Sequence, residues 1–311
     1  MSDGPVRGRA LVLGGGGFVG RHLCARLARD GWEVVATVRP GAPPPGGAAR
    51  VVAVDLADGA AVSSAVRAAD PDVAFHLAAA RRRATAQERA ATTAVNTTSA
   101  LHLVDGLGER CRAVVRLGSS TEYAAVPGPT TEDAPLRPRG LFGATKAAGS
   151  LLLTAAAAER GLRSAVLRAF QVYGPDDHPG RLVPTVLRAA RDGTVLPLTA
   201  PGSCRDWVHV DDVVEACVLA AVTDDLPPGE VLNVGTGRQT ANEELVAAVE
   251  RVTGRPVRTA VGAHPGRAWD TGSWVSDPSR AGALLGWRAR TDLETGLAGC
   301  WAALLRDPAP A

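Results

Sequence analysis

Lysine is almost absent from this chain of 311 residues. Lys146 is the only lysine, whereas the chain has 33 arginines. A planar guanidinium cannot reproduce a compact, freely rotating ammonium. A chain that uses arginine almost everywhere but keeps one lysine therefore predicts a position where only an ammonium serves. Tyrosine is scarce as well, with only Tyr123 and Tyr173 in the sequence.

Several other features are missing or weak. The five cysteines include no C-x-x-C pair and the six histidines are dispersed, so neither a disulfide framework nor a metal site is predicted. A net charge of +2 gives no reason to expect a nucleic-acid or membrane partner. The sequence has neither an 18-residue uncharged apolar run nor a signal-peptide core, so a cytoplasmic location is expected. The dense basic run at 81–83 is expected to be a solvated loop, with phosphate binding as the alternative.

Short apolar runs alternate with longer amphipathic ones through the first half of the sequence. The runs predicted as strands are Ala10–Leu13, Glu33–Val38, Val51–Val54, Val73–Leu77, Ala113–Leu117 and Ser164–Phe170. The runs predicted as helices are Val19–Asp30, Gly59–Ala69, Ala90–Gly106 and Phe142–Arg160. This alternation is typical of a parallel sheet with helices on both faces. We therefore expect an α/β fold with a Rossmann-type doubly wound parallel sheet.

After residue 175 the elements become shorter and richer in Pro and Gly. We predict helices at Leu182–Arg191, Asp211–Val222 and Asn242–Val252, and strands at Asp206–Val210 and Val231–Val234. This pattern indicates a smaller, partly interleaved α/β substrate domain that closes over the carboxyl edge of the sheet, where ligands bind. Residues 1–175, with a return segment at about 205–230, are assigned to the dinucleotide-binding domain, and 176–204 and 231–311 to the substrate-binding domain.

A glycine pattern follows the first predicted strand. Gly14 permits a tight turn, Gly17 lets backbone amides approach a pyrophosphate, and Gly20 allows close packing of helix on strand. Phe18 and Val19 open the helix, whose N-terminus stabilises an anion. The strand–turn–helix context favours dinucleotide binding over a plain glycine-rich turn.

The end of the second strand bears on the choice of cofactor. Folds of this kind that use NAD place an acid there for the ribose 2′-hydroxyl, but this strand ends in Arg39, and Arg21 lies in the first helix. A cation suits a 2′-phosphate. NADP(H) is therefore favoured, with NAD(H) possible if Arg39 is a chance surface arginine.

A series of ordered motifs extends from about Ala10 to Leu297. Besides the glycine pattern it contains Asp55-Leu56, His76-Leu77-Ala78-Ala79, Val95-Asn96, Gly118-Ser119-Ser120, Phe142…Lys146, Arg168, Tyr173-Gly174-Pro175, Arg205-Asp206-Trp207-Val208-His209-Val210-Asp211-Asp212, Asn233-Val234-Gly235 and Asp277-Pro278-Ser279. Together they resemble the extended short-chain dehydrogenase/reductases (SDRs), and within these the NAD-dependent epimerase/dehydratase family acting on nucleotide-activated sugars.

The resemblance implies a set of ligand-binding residues. Those expected around the cofactor are Asp55, Leu56, Leu77, Ala78, Ala79, Asn96, Lys146 and Val172. Those expected around a nucleotide-sugar substrate are Ser120, Thr121, Gln171, Arg205 and Arg267, the two arginines gripping the diphosphate unless they form surface salt bridges. It also implies a homodimer in which Ala90–Gly106 and Phe142–Arg160 pair as a four-helix bundle.

The same resemblance implies a catalytic set with one member missing. A hydroxyl binds the sugar oxygen, a tyrosine exchanges the proton, and a lysine holds the nicotinamide ribose and lowers the pKa of the tyrosine. Ser120 matches the first role, with Ser119 as the fallback, and Lys146 matches the last. Phe142 stands at the tyrosine position and cannot do acid–base work. The chain is then an engineered Tyr-to-Phe variant, an enzyme with another donor such as Tyr123, Glu122 or water, or a binder without turnover.

Ser120-Thr121-Glu122 resembles the Thr-Asp-Glu of sugar-nucleotide 4,6-dehydratases, with Thr121 in place of the Asp. Glu122 is a candidate base, the alternative being a solvated loop glutamate. The first functional hypothesis is an NADPH-dependent NDP-4-keto-deoxysugar reductase of deoxysugar biosynthesis. The second is an NAD-dependent NDP-sugar 4-epimerase or dehydratase-type isomerase. The third is a non-catalytic dinucleotide sensor.

Overall fold

Strands and helices alternate through the computed structural model, which describes residues 7–81, 84–265 and 272–306. Within these ranges the strands are β1 Arg9–Leu13, β2 Glu33–Val38, β3 Arg50–Ala53, β4 Val73–His76, β5 Ala113–Leu117, β6 Pro129–Thr130, β7 Arg163–Ala169, β8 Gln171–Tyr173, β9 Leu196–Leu198, β10 Cys204–Arg205, β11 Trp207–His209, β12 Glu230–Val234, β13 Thr240–Ala241, β14 Thr259–Val261 and β15 Val275–Ser276. The helices are α1 Phe18–Arg29, α2 Gly59–Ala69, α3 Ala86–Asn96, α4 Thr98–Gly106, α5 Leu141–Glu159, α6 Leu182–Asp192, α7 Val210–Val222, α8 Asn242–Thr253, α9 Ser279–Leu285 and α10 Leu293–Arg306, with a 3-10 turn at Ser120–Glu122.

The central sheet has seven strands in the order β12-β7-β5-β4-β1-β2-β3. Every neighbouring pair is parallel. One face packs on α1 and α7, and the other on α2, α4 and α5. The chain reverses its direction of progress across the sheet between β1 and β4, which is the switch point where such folds bind dinucleotides. The predicted Rossmann-type fold class is confirmed.

A second, smaller core lies apart from the sheet. Its buried side chains come from α6, α8 and α10 and from the strands β8, β9 and β11. Strand β12, which the sequence assignment placed with the substrate domain, pairs instead with β7 at the edge of the central sheet. The predicted domain boundary therefore assigns β12, a strand of the central sheet, to the substrate-binding domain.

One predicted helix is wrong in both its start and its continuity. Residues 90–106 were expected to form one helix, but α3 begins at Ala86 and α4 follows it after a break at Thr97. Thr85 and Glu88 form a capping box that starts α3 four residues earlier. Thr97 adopts φ −117° and ψ −79°, which interrupts the helix. Each of the other predicted strands and helices begins and ends within one residue of the observed limits.

Helix α5 is the element that positions most of the site. By length and composition it could cross a membrane, with a mean hydropathy of 1.3. It is instead packed in the fold, against α4, α3 and β7, and its buried residues include Gly143, Lys146 and Gly149. A lysine and small residues on the buried face indicate close approach to the sheet edge.

Candidate active site

The glycine loop after β1 forms a tight cradle. Gly14 has φ +86°, and its N–H donates to Thr37 Oγ1 over 3.1 Å. A Cβ at Gly20 would overlap the Gly14 carbonyl oxygen. Helix α1 then begins at Phe18, and among the described residues no side chain caps it and its first turn holds no acid. The amides of Phe18, Val19 and the turn are thus available to an anion, which fits the pyrophosphate of a dinucleotide.

Two arginines flank this cradle. Arg39 is exposed directly after β2. Arg21 Nε donates to the carbonyl of Gly16 over 3.0 Å, and a Cβ at Gly16 would lie 3.2 Å from Val38 Cγ1. Arg21 therefore contacts the glycine loop directly, whereas Arg39 follows Val38, the residue that packs beside Gly16. In folds of this kind the end of the second strand lies near the adenosine ribose, and Arg39 is the residue directly after that strand.

The ends of β3 and β4 complete the cofactor side of the cleft. Asp55 is exposed, and its Oδ1 accepts from the Ala57 amide over 3.0 Å. Leu56, Leu77 and Ala78 are buried, while Ala79 is exposed. All follow strands that neighbour β1 or β2, so the predicted adenine and ribose contacts lie along one sheet edge.

Asn96 connects this edge to α5. It is fully buried, and its Oδ1 accepts from the Ala80 amide over 2.8 Å. Its Nδ2 donates to the Ala80 carbonyl and to Thr145 Oγ1, each over 2.9 Å. Thr145 precedes Lys146. Since both ends of the amide are engaged by protein atoms, Asn96 acts by fixing the loop after β4 against α5.

Lys146 and Phe142 lie one turn apart on α5. Lys146 is buried, and its Nζ donates to the carbonyl of Leu117 at the end of β5. Phe142 is half-buried, and the guanidinium carbon of Arg81 lies 3.8 Å from the centre of its ring. A cation this close to a ring face is attracted by the ring quadrupole. The position expected for a tyrosine is thus covered by an arginine from the loop after β4.

A second buried cation lies beside this lysine. Arg116, on β5, is fully buried and contacts His76 Nδ1 over 2.9 Å, the Asn96 carbonyl over 2.6 Å and Ser150 Oγ over 3.4 Å. Burial lowers its pKa to about 10, so the guanidinium stays charged near neutral pH. Burial first, and then the Arg116 charge, hold the pKa of Lys146 well below its usual 10.5.

The two serines after β5 have different partners. Ser119 is half-buried, accepts from the Thr121 amide over 3.2 Å, and shares a 2.8 Å hydrogen bond with the Thr121 hydroxyl. Ser120 is buried, and its Oγ accepts from Trp274 Nε1 over 3.0 Å. Ser119 is thus committed as the cap of the 3-10 turn, whereas the Ser120 hydroxyl keeps its own hydrogen to donate.

Glu122 is not a solvated loop residue. It is fully buried, and its Oε1 accepts from the Ser119 amide over 2.8 Å and from Ser150 Oγ over 3.2 Å. Its Oε2 accepts from Arg168 Nε over 3.0 Å. The alternative of a solvated glutamate is therefore wrong. A carboxylate with both oxygens occupied by donors is also poorly arranged to take a proton from a substrate.

The hydroxyl of Tyr123 is likewise engaged in a hydrogen bond within the protein. Its hydroxyl donates to Asn233 Oδ1 over 2.8 Å, and burial raises its pKa to about 12. The guanidinium of Arg168 lies 4.5 Å from its ring centre. The structure therefore holds Tyr123 as part of a buried network with β12.

Two of the residues predicted to bind the substrate, Gln171 and Arg205, lie on β8 and β10. Gln171 begins β8 and is half-buried, and Val172 next to it is buried. Arg205 on β10 is half-buried and its Nη1 donates to the Cys204 carbonyl over 2.6 Å. Arg267 lies outside the described residues. Of the two predicted diphosphate arginines, only Arg205 can therefore be placed.

One buried carboxylate ties the walls of the cleft together. Asp206 is fully buried. It accepts hydrogen bonds from the amide and hydroxyl of Thr236 over 2.7 and 2.6 Å and from the Gly237 amide over 3.0 Å. It also accepts from the amide and hydroxyl of Ser276 over 3.0 and 2.6 Å. These groups follow β12 and lie on β15. Asp206 thus positions the segment that carries Trp274.

Sequence reasoning missed three residues of this site. Trp274 gave no signal, because its contact with Ser120 spans 154 positions. Arg116 could have been found as a charged residue inside an apolar strand. Arg81 was seen only as part of a basic run. In the described ranges no group of three His, Cys, Asp or Glu side chains is placed to hold a metal ion, and all five cysteines are free thiols.

Comparison with known proteins decides the family. A profile of the NAD dependent epimerase/dehydratase family matches residues 10–235. The chain belongs to this family. It is an NAD(P)-dependent oxidoreductase of the extended SDR type, as the motifs predicted, and a pyridine nucleotide is its cofactor class.

Its similar proteins include both reductase-type and isomerase-type enzymes. This epimerase/dehydratase family member is 31% identical to a dTDP-6-deoxy-L-talose 4-dehydrogenase (NAD(P)(+)) of Kitasatospora kifunensis, over 96% of each chain. It is also 31% identical to a UDP-glucose 4-epimerase of Mycolicibacterium smegmatis, over 93% of this chain and 96% of that one. The solved structure of MoeE5 with UDP-glucose and NAD superposes with a TM-score of 0.86 and 32% identity, covering 96% of this chain and 99% of MoeE5. Nucleotide-sugar chemistry is common to all three names.

Proposed function

We propose that this enzyme reduces the keto group of a nucleotide-activated deoxysugar with NADPH, as an NDP-hexose 4-ketoreductase. The observation that carries the proposal is a pair of cations, the exposed Arg39 directly after β2 and Arg21 in α1, whose Nε donates to the glycine loop at the Gly16 carbonyl. A 2′-phosphate suits these guanidinium groups. Net reduction consumes a reduced cofactor, which NADPH usually supplies. The talose 4-dehydrogenase relative, named for NAD(P)+ and position 4, supports the same chemistry in reverse.

The site residues have distinct roles in this proposal. The glycine loop binds the pyrophosphate, and the bound nicotinamide supplies the hydride. The Ser120 hydroxyl donates to the sugar oxygen that gains negative charge. Arg205 binds the diphosphate of the substrate, because a guanidinium fork matches phosphate oxygens. Gln171 and Thr121 line the sugar.

A 4-epimerase or dehydratase-type isomerase with retained NAD is the second candidate. The likeness to the UDP-glucose 4-epimerase and to MoeE5 with UDP-glucose and NAD supports it. Against the dehydratase form, Thr121 stands where the acid of the dehydratase motif is expected. A non-catalytic sensor, the third candidate, rests on Phe142 alone and leaves Lys146 and Ser120 unexplained.

We further propose a cytoplasmic homodimer that forms through α3, α4 and α5. The exposed face of α5 includes Leu151, of which 59% is accessible. An apolar side chain of this size on a helix beside α3 and α4 suits pairing across a two-fold axis. The mass of the protein in solution tests this assembly.

The deciding experiment is oxidation of NADPH in the presence of a dTDP-4-keto-6-deoxyhexose, with UDP-glucose epimerisation measured in parallel. Reduction of the keto sugar without cofactor retained in the purified protein supports the reductase. Interconversion of UDP-sugars with NAD released only on denaturation supports the isomerase. Arg205→Leu is expected to raise the KM for the nucleotide sugar by roughly 10-fold or more, whereas the control Arg188→Leu, on α6, leaves it unchanged.

A further inference from the structure

The charges around Lys146 are unbalanced towards the positive. Arg116 approaches from β5 and hydrogen-bonds three neutral groups, His76, the Asn96 carbonyl and Ser150. Arg81 approaches from the loop after β4.

The carboxylate near this group is already shared. Glu122, from the 3-10 turn, raises the pKa of Lys146, but it also forms an ion pair with Arg168 of β7 at 3.0 Å. His76, from β4, is held neutral because burial and then the charges of Arg116 and Lys146 lower its pKa. Asp177 also interacts electrostatically with Arg81. Burial and the charges of Arg116 and Arg81 nevertheless outweigh Glu122 and disfavour the charged form of Lys146.

The position of Arg116 is built into α5. Gly149 lies one turn after Lys146, and a Cβ there would overlap both the Arg116 guanidinium and the Asn96 carbonyl oxygen. The missing side chain at 149 therefore lets both the Asn96 backbone and the Arg116 guanidinium approach the helix that carries Lys146. Burying this cation is costly, and its hydrogen bonds to His76, the Asn96 carbonyl and Ser150 offset part of that cost.

Phe142, one turn before Lys146 on α5, cannot exchange protons. Phe142 has no hydroxyl, and Arg81 covers its ring at 3.8 Å. Glu122 and Tyr123 are fully engaged elsewhere. Lys146 shares the end of β5 with Ser120, since its Nζ donates to the Leu117 carbonyl three positions before that serine.

We propose that Lys146 is the catalytic acid–base group of this enzyme, in place of the missing tyrosine, and that Arg116 is the positioning residue that makes the lysine exchange its proton. The proposal deepens the reductase function proposed above and rests on it for the identity of the substrate. Lysines activated by burial beside another cation are known to serve as catalytic groups at neutral pH.

The proton and electron balance is complete. The sugar carbonyl carbon gains a hydride, whose two electrons come from the reduced nicotinamide as its C–H bond breaks. The carbonyl oxygen gains a proton as an N–H bond of the Lys146 ammonium breaks, directly or through one water in the space of the absent phenol oxygen. Lys146 is left as a neutral amine and recovers a proton from water. In sugar oxidation the same steps run backwards.

The single lysine makes the test direct. Protein labelled with 13C at lysine Cε gives one lysine signal, because the chain has one lysine, and its shift against pH reports protonation of Lys146. In the full-length protein, with and without NADP+, we expect a midpoint at least two pH units below the usual value of about 10.4. Arg116→Met is expected to raise the midpoint by about one unit or more. Arg112→Met, an exposed arginine just before β5, is the control and leaves it unchanged.

Arg81→Gln provides a second variant that does not touch the core, since Arg81 is exposed, and it is expected to raise the midpoint by a smaller amount. A midpoint at or above 10 in the unmodified chain overturns the proposal, because the amine then stays cationic. A low midpoint that neither substitution moves overturns the role of Arg116. If the midpoint is low and both substitutions raise it, the proposal is supported even where no keto sugar is reduced, because the titration needs no substrate. In that case only the proposed substrate is wrong.

Discussion

The indole N–H of Trp274 donates a 3.0 Å hydrogen bond to the hydroxyl of Ser120, linking residues 154 positions apart. The tryptophan is itself held in place, because its amide donates to Gln239 Oε1 over 3.0 Å while Gln239 Nε2 donates to the Gly272 carbonyl over 2.7 Å. A hydroxyl that accepts from one fixed donor can turn its own hydrogen towards a third group. Trp274 therefore directs the Ser120 hydrogen into the cleft.

Trp274→Phe keeps an aromatic ring and removes only the N–H. We expect kcat to fall by roughly 2- to 10-fold, the usual contribution of one neutral hydrogen bond, with little change in the KM for the nucleotide sugar. Steady-state kinetics with the keto sugar measure both constants. Trp301→Phe on α10 is the matched control. A large rise in KM with unchanged kcat would assign Trp274 to substrate binding instead.

The two serines are expected to respond differently to truncation. Ser120→Ala removes a donor to the sugar oxygen and should lower kcat by roughly 100-fold or more. Ser119→Ala removes a cap of the 3-10 turn and should chiefly lower stability, by about 1 kcal/mol. Kinetics and urea unfolding on both variants separate these effects. The opposite pattern would transfer the catalytic hydroxyl to Ser119.

Phe142→Tyr tests whether a phenol improves the site. With Lys146 as the acid–base group, we expect kcat to change by less than about 10-fold, because the proton already has a source. Phe142→Leu, which loses the ring under Arg81, should reduce activity more than the tyrosine variant. A gain of about 100-fold or more on adding the hydroxyl would identify an ordinary reductase whose tyrosine has been lost, and Lys146 would then not be the proton donor.

Arg39→Glu is expected to reverse the cofactor preference. Loss of a cation at the 2′-phosphate, with an acid in its place, should lower kcat/KM for NADPH by roughly 100-fold and improve that for NADH. Arg29→Glu, exposed on α1, makes the same charge change away from the ribose and should affect neither. Equal use of both cofactors by the unmodified protein and by Arg39→Glu would show that Arg39 is a surface residue.

His76 predicts a dependence of stability on pH. Burial and the neighbouring charges hold its pKa well below 6.5 in the folded protein, whereas in the unfolded chain it takes up a proton below about pH 6.5. The unfolded state then binds more protons, so the free energy of unfolding falls as pH decreases below that value, by up to about 1.4 kcal/mol per pH unit from this residue.

His76 Nε2 lies 2.7 Å from Ser99 Oγ, and its Nδ1 contacts Arg116. His76→Gln removes the titrating ring while keeping a polar group for these two neighbours. Urea unfolding between pH 7.5 and 5.5 should therefore show a smaller loss of stability in His76→Gln than in the unmodified protein. His178→Gln, at an exposed histidine, should leave the slope unchanged. Equal slopes for all three proteins would show that His76 titrates normally.

Contiguous motifs made much of this structure predictable. The glycine loop and the strands around it follow from local periodicity and turn chemistry, and Lys146 stood out by its rarity alone. The break at Thr97 was not predictable from hydrophobic spacing, because residues on both sides keep helical periodicity. The state of Glu122 depended on Arg168, 46 positions away on β7. Contacts of this length decide which polar groups are free, and a sequence pattern does not report them.

The close approach of Asn96 and Arg116 to Gly149 also constrains how this protein can vary during evolution. A Cβ at position 149 would overlap the backbone carbonyl oxygen of Asn96 even more closely than the guanidinium, so exchanging Arg116 for a smaller residue would not by itself make room for a side chain there. Homologues that keep this approach of α5 to Asn96 are therefore expected to have glycine at position 149, whatever residue stands at 116.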